Sequence, residues 1–168
     1  MSAPLARITV GIVVERRRSA SPWVDFTWQP VSILPGEPQT PAWTVLSSDA
    51  QRTRFYAGAA EVNLYRTETA QYRDNLLSGA ASLWVVLRPT GVQPAFDLIA
   101  VTADPAEGEA FTQTGSDLVE ALPMPAVVRE FVEAFVFEHH VEQTFVKRQR
   151  DRADPEALAR RPPIVKNR

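Results

Sequence analysis

The sequence predicts an α+β fold: an antiparallel, partly barrel-like sheet of about six to eight short strands, packed by a C-terminal amphipathic helix, with one or two short helices and an extended basic tail. Three observations carry this prediction. Several short segments alternate apolar and polar residues with the period of a half-buried strand. Met124 to His140 repeats apolar residues at helical spacing. Positive charge is concentrated at one end: residues 1–146 carry 10 basic and 17 acidic side chains, whereas residues 147–168 carry 8 and 3.

Size and composition set the frame. A chain of 168 residues with 45% hydrophobic and 23% charged side chains is long enough for one sizeable core but not two. The expected organisation is one α+β domain over residues 1–141 and a basic arm over 142–168. The 14 prolines against 7 glycines imply many turns and stiff connections. No apolar run approaches the ~20 residues of a membrane helix. The N-terminal stretch reads as a strand without a leading basic region or a small-residue cleavage site. A cytoplasmic chain with no membrane span is therefore the expectation. With no cysteine, disulfides, thiolate nucleophiles and cysteine-held metals are excluded.

Taken in order, Ile8, Val10, Ile12 and Val14 form the first alternating strand, and Arg16-Arg17-Arg18 reads as a solvated turn at its end. Val24, Phe26 and Trp28 alternate next. Pro30 then interrupts, and the apolar phase moves to Val31 and Ile33, which predicts a bulge or an edge position. Trp23 and Trp28 are expected on opposite faces, each covering a rim of the core. Pro35-Gly36 is a turn. Short strands follow at Trp43 to Leu46, Thr53 to Ala57 and, after a bend at Gly58, Ala60 to Leu64. Short links between successive strands favour antiparallel pairing.

Thr69 to Leu77 predicts a short helix ended by Gly79. Leu83 to Leu87 is apolar at every position, so it predicts a central strand covered on both faces. Phe96 to Ala103 is the next strand. Asp104-Pro105-Ala106-Glu107 then gives an N-cap, a proline in the first turn and a carboxylate able to reach back, starting a helix that runs to about Gln113. Leu118 to Leu122 is the last strand.

In the helix from Met124 to His140, Val127, Val128, Phe131, Val132, Phe135, Val136 and His139 share one half. Arg129, Glu130, Glu133 and His140 fall on the other, facing water, and Phe137 lies among them. Either both sides of the helix are covered or Phe137 is an exposed anchor. The arm beyond has too few large apolar residues to fold alone. Pro155 to Arg160 reads as a short helix behind a second Asp-Pro start.

The chemistry is sparse. His139 and His140 are the two histidines, and adjacent helix positions diverge by about 100°, so they do not converge on one ion. His139 with Glu142 is a two-ligand fragment at most. No metal and no cofactor is expected. Asp25, Asp97 and Asp104 offer carboxylates, but no pair is singled out by spacing. No nucleophile elbow, phosphate loop or dinucleotide fingerprint is present.

The basic arm suits docking on an acidic protein surface, or folding back on its own acidic body. Nucleic acid is not the expected partner, because aromatic residues are scarce in the arm and the body is acidic. The expected partner-binding residues are Phe137, His140, Phe145, Lys147, Arg148, Arg150 and Arg152. The alternative is a small-ligand-binding domain or enzyme, with a pocket between sheet and C-terminal helix near Trp84, Asp104 and His139.

Nearly the whole chain resembles a bacterial family of unknown function, domain-of-unknown-function family 3305. The resemblance runs through GIVVERR, SPWVDFTWQPVSILPG, RFYAGAAEVNLYRTETAQYRDNL, LWVVLRP, VTADPAEGEAF, the Leu122-Pro123-Met124-Pro125 turn, FVFEHHVEQTFVKRQRD and DPEALARRP. It implies no catalytic residue. It does imply a setting beside molybdenum-dependent formate dehydrogenase, and hence a non-enzymatic accessory or assembly role with a dehydrogenase subunit or maturation factor as partner.

Overall fold

The strand β1 (Ala6–Arg18) is the spine of the first sheet, because its alternation leaves Val10, Ile12 and Val14 fully buried on one side. In the computed structural model, which describes residues 2–141, β1 pairs antiparallel with β2 (Phe26–Pro35) on one edge and β4 (Arg52–Leu64) on the other. The strand β3 (Thr44–Ser48) extends β4, giving the order β2-β1-β4-β3. A second sheet places β5 (Ser82–Pro89) between β6 (Phe96–Thr102) and β7 (Leu118–Pro123), again antiparallel. Three α-helices, α1 (Thr69–Leu77), α2 (Pro105–Thr112) and α3 (Ala126–His139), and a 3-10 turn at Arg66–Glu68 complete the described residues.

The two sheets share one core. The strand β4 approaches β6 and β2 approaches β7 without joining hydrogen-bond ladders, so the seven strands form two sheets rather than a closed barrel. Val62 and Leu64 of β4, Leu83, Val85 and Leu87 of β5, and Val128, Val132 and Phe135 of α3 meet there. The central position of β5 follows from its sequence. Val86, pointing away from that core, is also fully buried, and α2 covers that face with Gly108 against Trp84. The helix α3 lies on β1 and across α1, where the Tyr72 and Phe135 rings meet edge to face at 6.1 Å.

Local signals set several boundaries. Between β1 and β2 the register jumps where Val13 pairs Ser32 and Val14 pairs Pro30, leaving Val31 unpaired. This is the bulge that Pro30 predicts, on a strand that is also at a sheet edge. Asp104 caps α2 by accepting from the amides of Ala106 at 2.9 Å and Glu107 at 3.4 Å. Asn75 ties α1 to the second sheet: its Nδ2 donates to the carbonyls of Ser82 (2.8 Å) and Ala103 (2.9 Å), and its Oδ1 accepts from the Ser82 amide (3.0 Å).

Four expectations are corrected. Thr53 to Leu64 is one strand instead of two, because Gly58, at φ 123°, permits a bulge beside Ala57 that the ladder to β1 tolerates. Arg16, Arg17 and Arg18 do not form a turn: they remain in β1, paired across to Thr53 and Arg52 and to Trp28, Thr27 and Phe26. Trp23 does not cover the core, since it sits in the loop before β2 with 90% of its surface exposed. Val127, placed on the buried half of α3 by projection, is 56% exposed, because the buried stripe narrows to Val128, Val132 and Phe135.

Candidate functional site

Val128, Val132 and Phe135 turn one side of α3 inward, and that choice fixes what faces out. Phe137 lies about 200° from Phe135 around the helix and is 93% exposed. Next to it, Val136 packs against the edge of the core. The end of α1 runs alongside and contributes Leu76 and the 72%-exposed Leu77. Between the two helices is a groove of about 560 Å³ with an apolar floor of Leu76, Leu77, Val136 and Phe137. Arg73, Arg129, Glu133 and His140 rim it, with the Arg129 Nε donating to Glu133 at 3.0 Å.

His140 closes one end of the groove. The helix projection turns it toward water, but α3 stops at His139 and His140 takes an extended conformation (φ −75°, ψ 119°), which swings its ring to α1. Its Nδ1 is 3.1 Å from the buried Thr69 hydroxyl and its Nε2 is 3.3 Å from Arg73 Nη1. A guanidinium only donates, so Nε2 accepts and Nδ1 carries the proton that bonds Thr69. His140 is thus half-buried, latching the two helices.

Trp84, Asp104 and His139 each have a structural contact of their own. Trp84 lies under Gly108, Asp104 caps α2, and His139 packs against Phe135, the rings tilted at 46° with centroids 4.5 Å apart. None of them lines the groove. Burial, reinforced by the field of Asp104, pushes the Tyr72 phenol up to about 12, so it remains protonated and accepts a hydrogen bond from the Tyr65 amide at 3.0 Å. Among the described residues no group of three His, Cys, Asp or Glu is placed to hold a metal ion. No helix there is long and apolar enough to cross a membrane.

The expected arm residues Phe145, Lys147, Arg148, Arg150 and Arg152 lie outside the described residues, as does the short helix expected at 155–160. The sequence reading placed α1 at Thr69–Leu77 but missed its part in the groove. The pair Leu76-Leu77 at a helix end was the available signal, since one helix face cannot bury two adjacent leucines equally.

No curated protein and no solved structure matches the chain. The family described as "Protein of unknown function (DUF3305)" matches residues 9–149, from within β1 to beyond α3, and the chain belongs to that family.

Proposed function

We propose that this chain is a non-enzymatic accessory protein that docks a partner protein on the face formed by α1 and α3. The partner we assign is a subunit or maturation factor of a molybdenum-dependent formate dehydrogenase system. The observation that carries the reading is Phe137, a large aromatic side chain left 93% exposed beside the 72%-exposed Leu77. Covering such surface is worth about 25 cal/mol per Å², and interface energy concentrates in anchors of this kind. Arg129 and Glu133 on the rim supply charges that set register more than affinity. The basic arm that follows Val141 in the sequence adds positive charge suited to an acidic partner. The formate dehydrogenase assignment rests on the family resemblance and not on geometry.

The test mixes the tagged intact chain, Phe137→Asp and a chain truncated after Val146 with separately purified formate dehydrogenase subunits and maturation factors. The intact chain captures one of them, Phe137→Asp binds it at least about tenfold more weakly, and truncation weakens it most at low salt. Equal capture by Phe137→Asp removes the α1/α3 face from the reading. Capture of none of these proteins removes the dehydrogenase assignment.

A further inference from the structure

Five of the ten arginines in residues 2–141 sit at one end of the first sheet: Arg16, Arg17 and Arg18 on β1, Arg52 and Arg54 on β4. Three of them share one counter-charge. Glu15, its side chain only 8% exposed, accepts from Arg54 Nε at 3.1 Å and Arg17 Nη2 at 3.3 Å, with Arg52 Nε at 4.0 Å. Arg16 points to the other face of the strand. There its guanidinium lies 4.5 Å from the Phe26 ring centroid, 5.4 Å from Phe55 and 5.7 Å from Trp28. Among the described residues, no carboxylate lies within ion-pair distance of Arg16 or Arg18.

That absence is informative because residues 2–141 hold sixteen acidic side chains against ten basic ones. A half-buried arginine held by three rings, with no carboxylate partner among the described residues, presents a preorganised cation to an anion. Beside it is a cavity of about 250 Å³ lined by Arg16, Arg18, Phe26, Ser48, Asp49 and Thr53, among others. The Ser48 and Thr53 hydroxyls bond each other at 3.1 Å, which leaves one O–H as a further donor. The Arg18 amide donates to the Gln51 carbonyl at 2.9 Å, which locks the β1 end to the β3–β4 turn. Asp49 is the opposing charge on the wall, but its Oδ1 is committed to the amides of Gln51 and Arg52, each at 2.8 Å. The loop that joins Arg18 to Phe26 carries Trp23, 90% exposed.

We propose that this end of the first sheet binds the phosphate of a nucleotide, with Arg16 and Arg18 on the oxyanion and Trp23 stacking on the base. Two arginine forks and one hydroxyl donor match a phosphate's several acceptor oxygens. Arg16 is held within a concavity by its rings, which suits a ligand entering the cavity better than a flat lipid surface. The surface is separate from the α1/α3 groove. The expectation against nucleic acid weighed the acidic body and the scarcity of aromatics in the arm; the proposal rests instead on strand pairing, which brings Arg16 beside Phe26, Trp28 and Phe55 and sets Arg18 opposite Phe26.

The experiment titrates the full-length chain with adenosine 5′-monophosphate, inorganic phosphate, an oligodeoxythymidine of about ten nucleotides and phosphatidylglycerol vesicles, at low salt. Adenosine monophosphate binds saturably, Arg18→Gln weakens it at least about tenfold, and Trp23→Ala weakens it without altering the binding of inorganic phosphate. Both residues are exposed, so neither variant endangers folding, and Arg7→Gln at the far end of β1 leaves binding unchanged. A tighter oligonucleotide with the same Arg18 dependence identifies a strand as the source of the phosphate. Binding unaffected by Arg18→Gln, which would place it on the basic arm, overturns the proposal. So does the lack of saturable binding by any phosphate probe, or association with the vesicles alone.

Discussion

Arg54 donates from Nε to the carboxylate of Glu15 at 3.1 Å, joining residues 39 positions apart on neighbouring strands. Burial pushes the Glu15 carboxyl up, but the hydrogen bonds from Arg54 and Arg17 and the field of Arg52 outweigh it and hold the group below its ordinary value of 4.5. A carboxyl lowered on folding stabilises the fold at every pH above its unfolded value, and the contribution disappears as pH falls through the folded value.

Glu15→Gln therefore lowers stability by about 1.5–3 kcal/mol near pH 7, the range for hydrogen bonds to a charged group. The difference from the native chain narrows in acid, where the native carboxyl is itself protonated. Urea unfolding of both proteins at neutral pH and near pH 3 measures it. A difference of the same size at both pH values would show that the carboxylate charge is not what holds the strands.

Gly108 is the second pressure point. A Cβ built on it lies 2.3 Å from Trp84 Cγ and 2.7 Å from Trp84 Cβ, so the obstacle is the rigid root of the side chain. Alanine gains up to about 1 kcal/mol of helix propensity over glycine but meets an overpacking cost of about 1–3 kcal/mol. Gly108→Ala is expected to be net destabilising, with a lowered thermal midpoint. A raised midpoint would mean that α2 can lift off β5 without loss.

Asn75 makes three hydrogen bonds between α1 and the second sheet while only 3% exposed. Asn75→Ala strands the buried Ala103 carbonyl and the half-buried Ser82 carbonyl and amide, at about 1–3 kcal/mol for each group that water cannot reach. Faster hydrogen exchange at the Ser82 amide should accompany a total loss of roughly 3 kcal/mol. Native protection of that amide in the variant would argue that water replaces the side chain.

Much of this fold was legible because its signals are local. The alternation in β1, the proline that bulges β2, the Asp104 cap and the apolar run of β5 each lie within a few residues of what they specify. The errors came where a distant partner decides. Arg16 to Arg18 look like a solvated turn until β4 supplies Thr53 and Arg52 as pairing partners. Their separation by more than 30 positions is invisible to periodicity. His140 was misplaced for a different reason: projecting it on a helix assumes that the helix continues, whereas α3 ends one residue earlier. The candidate groove was half legible, since Phe137 stood out against its charged neighbours while Leu77 gained significance only when α1 was laid beside α3.

Phe137 and Leu77 separate stability from binding. Both are largely exposed in the free chain, so Phe137→Ala and Leu77→Ala should each change unfolding free energy by no more than about 0.5 kcal/mol. If the face docks a partner, the same truncations each weaken association by about 1–3 kcal/mol, because the lost contact area is then buried in the complex. The double variant, read by urea unfolding and by partner titration on one preparation, distinguishes the cases. Loss of stability equal to the loss of binding would mean that the side chains cover the body of their own chain, and the exposed anchor would have to be sought elsewhere.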